Sequence, residues 1–314
     1  MLQLFILFLF FFRLDAQTYI YPGIYGDELS DLIINEYSTS ATLGYSSARD
    51  TMYSIIDSNN GSVSCIYTDF SVNLIPGTDP SITMYEGGIN CEHSWPQSMG
   101  ASAEPMKSDL HHLFPCKENV NSSRGNNPYS DIVDDYTDSW FYLDQMLNSI
   151  PEQNIINNYS ESYTSSNDDR FEPKENSKGN ISRAMFYFNT IYQSVADQNF
   201  FDLQKDILLE WHYNDIANQA ETNRTWMIAS YQDDIPNPFV IDPTLAWRIY
   251  FINSHPIGDT NSDQEIDILD IVLIANEILN MNNLSDLQKH QSDLNADFTI
   301  NVLDILFVVN MIIG

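Results

Sequence analysis

From Tyr19 to Ser58 apolar side chains recur at helical spacing, and the segment reads as amphipathic helix. The stretch "SVSCIYTDFSVNL" from Ser62 then alternates apolar and polar positions, as a strand does. Two runs further on, Arg183–Val195 and Leu203–His212, read as core helices whose aromatic rings serve packing and not base stacking. Glu152–Lys178 is rich in Asn and Ser and poor in apolar residues, which predicts a surface loop inserted between helices. Together these elements predict an α+β chain: one core of mixed helices with a small sheet, followed by a small all-α unit.

The two ends sharpen that outline. Eleven of the first twelve residues are apolar, too few to span a membrane, and Ala16 precedes Gln17 as a small residue at a cleavage point. Residues 1–16 therefore read as a secretory signal peptide, and no later run is long enough for a membrane anchor. Pro256 and Gly258 make Ser254–Gly258 the linker candidate, dividing a main domain at 17–253 from a C-terminal unit at 259–314. Cys65, Cys91 and Cys116 fit an exported chain of this size that relies on its core and not on staples. If Cys91 and Cys116 lie on paired strands they can form one disulfide and leave Cys65 free.

The C-terminal unit is a duplication. Asp259, Asn261, Asp263, Asp267 and Asp270 occupy positions 1, 3, 5, 9 and 12 of a loop, and Asp293, Asn295, Asp297, Asn301 and Asp304 repeat the spacing. Oxygen side chains at alternate positions of a tight loop, closed by a carboxylate at the twelfth, are how a chain wraps calcium. Each loop leads into an apolar helix, "ILDIVLIANEIL" and "VLDILFVVNMII", so a two-helix unit holding two calcium ions is expected. The pattern resembles a dockerin type I module, including aspartate as the closing residue. Gln264 and Phe298 stand at the sixth position, where glycine is usual. Dockerins that bind cohesins generally carry small or polar residues at positions ten and eleven, and this chain has Ile268, Leu269, Val302 and Leu303. That departure weighs against cohesin docking, so an anchoring, sorting or stabilising role is expected of the tail beside a cohesin-like or cell-surface partner.

The densest chemistry lies between Asn90 and Tyr129. Breaking a phosphodiester needs a base for water, a hard cation for the developing charge and a cation to orient the phosphate. His93 suits the base because imidazole titrates near neutral pH. Glu92 and Asn121 offer the carboxylate and amide oxygen that suffice for magnesium, which keeps several waters. Arg124 can hold a phosphate through a bidentate fork. The same stretch admits a zinc cluster of Cys91, His93, His111, His112 and Cys116, although the spacings match no usual zinc pattern.

"CEHSWPQS", "SDLHHLFP" and "VNSSRGNNPYS" follow one another as in the bacterial and extracellular endonuclease I family of ββα-metal nucleases. "FEPKENSKGNISRAMFYF" from Phe171, "LLEWHYNDIANQAETNR" from Leu208 and "NPFVIDPTL" from Asn237 extend the resemblance, which spans roughly Leu43 to Tyr250. The resemblance implies His93 as general base, Glu92 and Asn121 as ligands of one magnesium, and Arg124 and Arg183 as phosphate-facing cations, with His111 bracing the site. It implies endonucleolytic hydrolysis of DNA, and of RNA, with little sequence preference and with 5′-phosphate products. The chain departs from the family pattern at Asn180, where Asp is usual, and at "DDIPNPF", which lacks a habitual arginine.

A net charge of −31 opposes nucleic-acid binding, which rests on Lys and Arg neutralising phosphates. Locally the balance is reversed. Lys107, Lys117 and Arg124 face only Asp109 and Glu118, while Arg170, Lys174, Lys178 and Arg183 face only Glu172 and Glu175, so both segments read as basic islands lining a groove. The C-terminal region contributes −9, ten acidic residues against Lys289. The charge leaves two other readings open: a catalytically silent calcium-dependent adhesion or scaffold protein, and a phosphodiesterase of small molecules. A monomer is expected.

Overall fold

The computed structural model describes residues 19–165, 168–295 and 298–313, so the expected signal peptide and Asp297 of the second loop lie outside the described residues. The N-terminal helical segment resolves into helices Gly26–Tyr37 and Tyr45–Thr51, the latter continuing through a π-helical turn at Met52–Ile56. The strand expected from Ser62 is two strands, Ser62–Ser64 and Ser71–Asn73, paired antiparallel and joined by a turn. The turn forms because Asp69 adopts a left-handed backbone (φ 60°), which aspartate tolerates, and Cys65 N–H closes it on Phe70 O at 2.8 Å.

An antiparallel hairpin, Ile89–His93 against Leu113–Lys117, runs straight into the helix Glu118–Arg124 and forms a strand–strand–helix unit. Its register sets Cys91 opposite Pro115 and Asn90 opposite Cys116, so the expected Cys91–Cys116 disulfide is ruled out by the pleat. The thiol that does approach Cys116 is that of Cys65, at 4.0 Å, and all three cysteines are free.

Glu152–Lys178 is not a surface loop. It supplies strands Ser160–Tyr163 and Arg170–Glu172 of a four-stranded antiparallel sheet, completed by Ser139–Tyr142 and Gln145–Leu147. Ser160, Ser162, Glu161 and Glu172 are all buried there. Their burial is possible because partners meet them: Ser160 Oγ donates to Tyr67 O at 2.7 Å, and Thr137 Oγ1 donates to Glu161 at 2.5 Å. Composition alone does not reveal such partners.

The main core forms around the helix Lys178–Ile191, on which every residue but Asn180 is buried. Gly179 permits its closest approach: a Cβ there would lie 1.9 Å from the Asp215 carbonyl oxygen. The aromatic runs pack as expected, with Trp95 stacked on Phe188 at 4.8 Å and Phe186 on Phe239 at 5.9 Å. A second cluster, including Ala48, Met52, Tyr53, Leu110 and Leu113, fastens the Tyr45–Ile56 segment onto the hairpin. That packing sets the position of Tyr45.

Among the described residues the C-terminal unit has three helices where two were expected: Ile268–Ile278, Asp286–Ser292 and Val302–Ile313. The added helix is announced by a capping box, Ser285 with Gln288. The unit is seated on the main body, with Tyr213 against His290 (5.5 Å), Tyr19 against Phe298 (5.4 Å), and Leu287 packed on the main core. Among the described residues no helix is long and apolar enough to cross a membrane.

Candidate active site

Glu92 and His93 end one strand, and because side chains alternate they leave it on opposite faces. Asn90 shares the face of Glu92. On that side Glu92 Oε1 accepts from Tyr67 Oη at 2.9 Å and faces Arg124 Nε at 3.5 Å, while Tyr67 and Tyr129 share a hydrogen bond of 2.7 Å. Burial pushes the Glu92 carboxyl up to about 7, against the pull of Arg124 and the Tyr67 hydroxyl. Asn121 Nδ2 donates to Asn90 Oδ1 at 2.6 Å and to Cys91 O at 3.2 Å, which fixes the amide and frees its Oδ1. One carboxylate oxygen and one amide oxygen are thus offered from the helix-covered side of the hairpin.

His93 sits at the strand end with only 7% of its surface exposed. Nε2 lies 3.0 Å from Lys107 O, an acceptor only, so Nε2 carries the proton and Nδ1 keeps its lone pair. Nδ1 has no hydrogen-bond partner among the described residues. Burial, aided by His112, pushes the imidazole down to about 3 and holds it neutral. Tyr45 and His112 flank the ring, each at 5.5 Å. No hydrogen bond links His93 to Glu92 or Asn121 among the described residues; they are joined through the strand and through Arg124.

Arg124 is not a phosphate-facing cation. It is fully buried, donating to Ser94 O (2.7 Å), Gly125 O (3.1 Å) and His93 O (3.3 Å), with its guanidinium 4.6 Å from the Tyr129 ring centre. Its work is to pin the strand end to the helix and balance Glu92. Arg183 is likewise 1% exposed and holds Glu221 by two bonds of 2.6 Å, with Asp215 O at 2.8 Å. The resemblance supplied positive charge at these positions, and burial turns it inward.

The basic island Arg170–Arg183 is neutralised internally too. Arg170 pairs with Asp168, Lys174 with Asp69, and Lys178 with Asp131, Glu172 and Glu175. The cavity beside it, about 560 Å³, is lined by Asp131, Glu172, Glu175, Glu210 and Asp215 against Lys178 alone, and repels a polyanion.

His111 does not brace the site. Its Nε2 bonds Ile235 O at 3.0 Å and its ring meets Tyr187, turning it into the core. The brace is His112, set between His93 and Phe188 with Nε2 2.6 Å from Met106 O. A buried carboxylate sets this geometry: Asp109 accepts from His111 N–H, Tyr187 Oη, Tyr192 Oη and Gln232 Nε2. Sequence reasoning also missed Tyr45, Tyr67 and Asn90, and the carbonyl of Lys107 leaves no signal in a sequence at all.

The donor set suits a hard cation. Among the described residues no three His, Cys, Asp or Glu side chains gather as a metal-binding group, which removes the zinc-cluster reading. One carboxylate and one amide oxygen remain, the set that suits an ion retaining most of its water.

In the C-terminal unit Asp259 and Asp270 bury their carboxylates within the first loop. Asp259 takes the N–H groups of Asp263 and Gln264, and Asp270 those of Asn261 and Asp267. Asp293 and Asp304 repeat this with Phe298, Leu294 and Asn301. The sixth positions, Gln264 (φ 71°) and Phe298 (φ 61°), are left-handed, as the turn demands of glycine.

The description "Endonuclease I" belongs to the family model that matches residues 26–244, and a dockerin type I domain matches residues 257–313. The chain is 26% identical over 259 residues to an extracellular ribonuclease of Bacillus subtilis (strain 168), covering 75% of this chain and 79% of that protein. It is 25% identical over 181 residues to an extracellular ribonuclease of Bacillus amyloliquefaciens, covering 52% of this chain and 54% of the other. Strand, strand and helix, the sheets beside them and the duplicated loops agree with both matches, and the chain belongs to the endonuclease I family, as a nuclease that carries a C-terminal dockerin type I domain.

Proposed function

We propose that this chain is an exported endonuclease of low sequence preference that hydrolyses the phosphodiester bonds of DNA and RNA with His93 as general base. The observation that carries the reading is the locked imidazole, with Nε2 on the Lys107 carbonyl and Nδ1 unbonded on a neutral ring. His93 Nδ1 removes a proton from water, the water oxygen attacks phosphorus, and the 3′ oxygen departs to leave a 5′ phosphate. Glu92 and Asn121 would hold one magnesium ion, which when bound offsets charge on the phosphate and on the departing oxygen. Arg124 and Tyr67 keep Glu92 aimed, and His112 and Tyr45 keep the ring from rotating. The names of the two relatives support RNA as a substrate and export as the destination.

The domain plan is a signal peptide at 1–16, the catalytic domain at 17–253, a linker at 254–258 and a calcium-binding module at 259–314. The module serves calcium-dependent docking, sorting or anchoring. Ile268, Leu269, Val302 and Leu303 occupy equivalent places in the two loops and are 52–63% exposed, offering a paired apolar surface to a cohesin-like or cell-surface partner.

Supercoiled plasmid with magnesium tests the reading. The intact protein degrades it, and His93→Ala loses activity on the order of 10²-fold or more. Equal cleavage by the variant removes His93 from the chemistry, and intact plasmid with cleavage of a small phosphodiester shifts the substrate to small molecules.

A further inference from the structure

Twelve of the chain's 13 lysines and arginines fall among the described residues. Nine of them pair with carboxylates. Arg49, Lys107 and Lys117 have no carboxylate partner among the described residues. In a chain of charge −31 such cations are exceptional, and two of the three lie against the Tyr45 ring that neighbours His93.

Arg49 and Tyr45 are four residues apart on the helix Tyr45–Thr51, which brings them to one face. The Arg49 guanidinium carbon lies 4.8 Å from the Tyr45 ring centre, and Lys107 Nζ lies 5.0 Å from the same centre. That ring in turn is 5.5 Å from the His93 ring. Lys107 belongs to the short turn Met106–Ser108 whose own carbonyl fixes the His93 tautomer, so cation and base are placed by one residue. Arg49 Nε is buried and has no hydrogen-bond partner among the described residues, so the side chain is held against the Tyr45 ring and not by an ion pair. Lys117, at the far end of the hairpin, lies over Phe70 instead.

We propose that Arg49 and Lys107, spaced by Tyr45, form the subsite that holds a backbone phosphate of the nucleic acid beside His93. This rests on the nuclease reading of the same site and replaces Arg124 and Arg183, whose guanidinium groups are consumed in the interior. Arg49 grips the phosphate through its planar fork and Lys107 adds a mobile point charge. A site of two local cations explains how a strongly acidic chain binds a polyanion without an extended basic face.

The test separates binding from chemistry. Binding of a labelled single-stranded oligonucleotide is measured with the full-length His93→Ala protein in magnesium, across a salt series. Arg49→Gln and Lys107→Gln are each introduced, with Arg49→Lys as the charge-preserving control and thermal unfolding as the check on folding. The expected result is a loss of roughly 10-fold in affinity per removed cation, with the slope of log affinity against log salt falling by about 1 each time. Arg49→Lys keeps the slope. In the His93-intact protein the same changes raise KM and leave kcat within about 3-fold, as loss of uniform binding requires. Unchanged slopes in folded Arg49→Gln and Lys107→Gln proteins overturn the subsite, even where His93→Ala has abolished cleavage. Full cleavage by His93→Ala overturns the catalytic reading alone, since the binding slopes stand apart from it.

Discussion

Glu161 and Glu172 face each other directly across paired strands, both buried. Burial is the main cause that pushes Glu161 up to about 8 and Glu172 up to about 7, and the Glu172 charge adds to the shift of Glu161 only after it. A carboxyl whose folded value is raised stabilises the fold below its unfolded value, near 4.5, and that stability drains as pH rises through the folded value. Glu161→Gln should therefore match the wild type in thermal unfolding at pH 4 and exceed it at pH 9; equal midpoints at both would show no such penalty. Tyr67→Phe should act in the opposite direction. It removes a donor from the buried Glu92 carboxylate and should cost about 1–3 kcal/mol in denaturant unfolding. At this scale the sequence was readable for placement, since the motifs that carry Glu92, His93 and Asn121 fold as one strand and the helix beside it. It was not readable where burial decides, since Arg124 and Arg183 show their charge in the sequence but not the Glu92 and Glu221 that absorb it.

Hydrophobic periodicity located the long elements well, because Arg183–Val195 and Leu203–His212 bury continuous faces that only helices make. It failed for Glu152–Lys178, whose strands bury serine and glutamate through hydrogen bonds to Tyr67, Thr137 and Lys178. Tyr67 and Thr137 lie outside the segment, and the Lys178 that meets Glu172 stands at its very end. The third C-terminal helix was overlooked because six of its seven residues are polar, although its capping box was legible. Two predictions belong here. Gly179→Ala drives a methyl group into the Asp215 carbonyl and should destabilise by about 1–3 kcal/mol or more, read by urea unfolding. Gln264→Gly relieves a left-handed backbone in the first calcium loop and should raise calcium affinity in a titration, provided the loop otherwise keeps its shape.

For the whole molecule, charge is the governing quantity. Calcium bound by the dockerin domain would offset part of the −9 carried by the C-terminal region, so chelation should loosen that unit first. Because Tyr213 and His290, and Tyr19 and Phe298, join it to the main body, chelation should also speed hydrogen exchange at those contacts. The domain order was evident from the sequence, since the duplicated loops and the nuclease motifs occupy separate stretches. The seating of one unit on the other was not, because it depends on single aromatic contacts. The central claim is that the unbonded nitrogen of His93 takes the proton from water, and imidazole rescue tests it most directly. Single-turnover cleavage by His93→Ala should be slow in magnesium alone and recover in proportion to added imidazole, while the wild type stays unaffected. Wild-type cleavage by His93→Ala without imidazole would contradict the account.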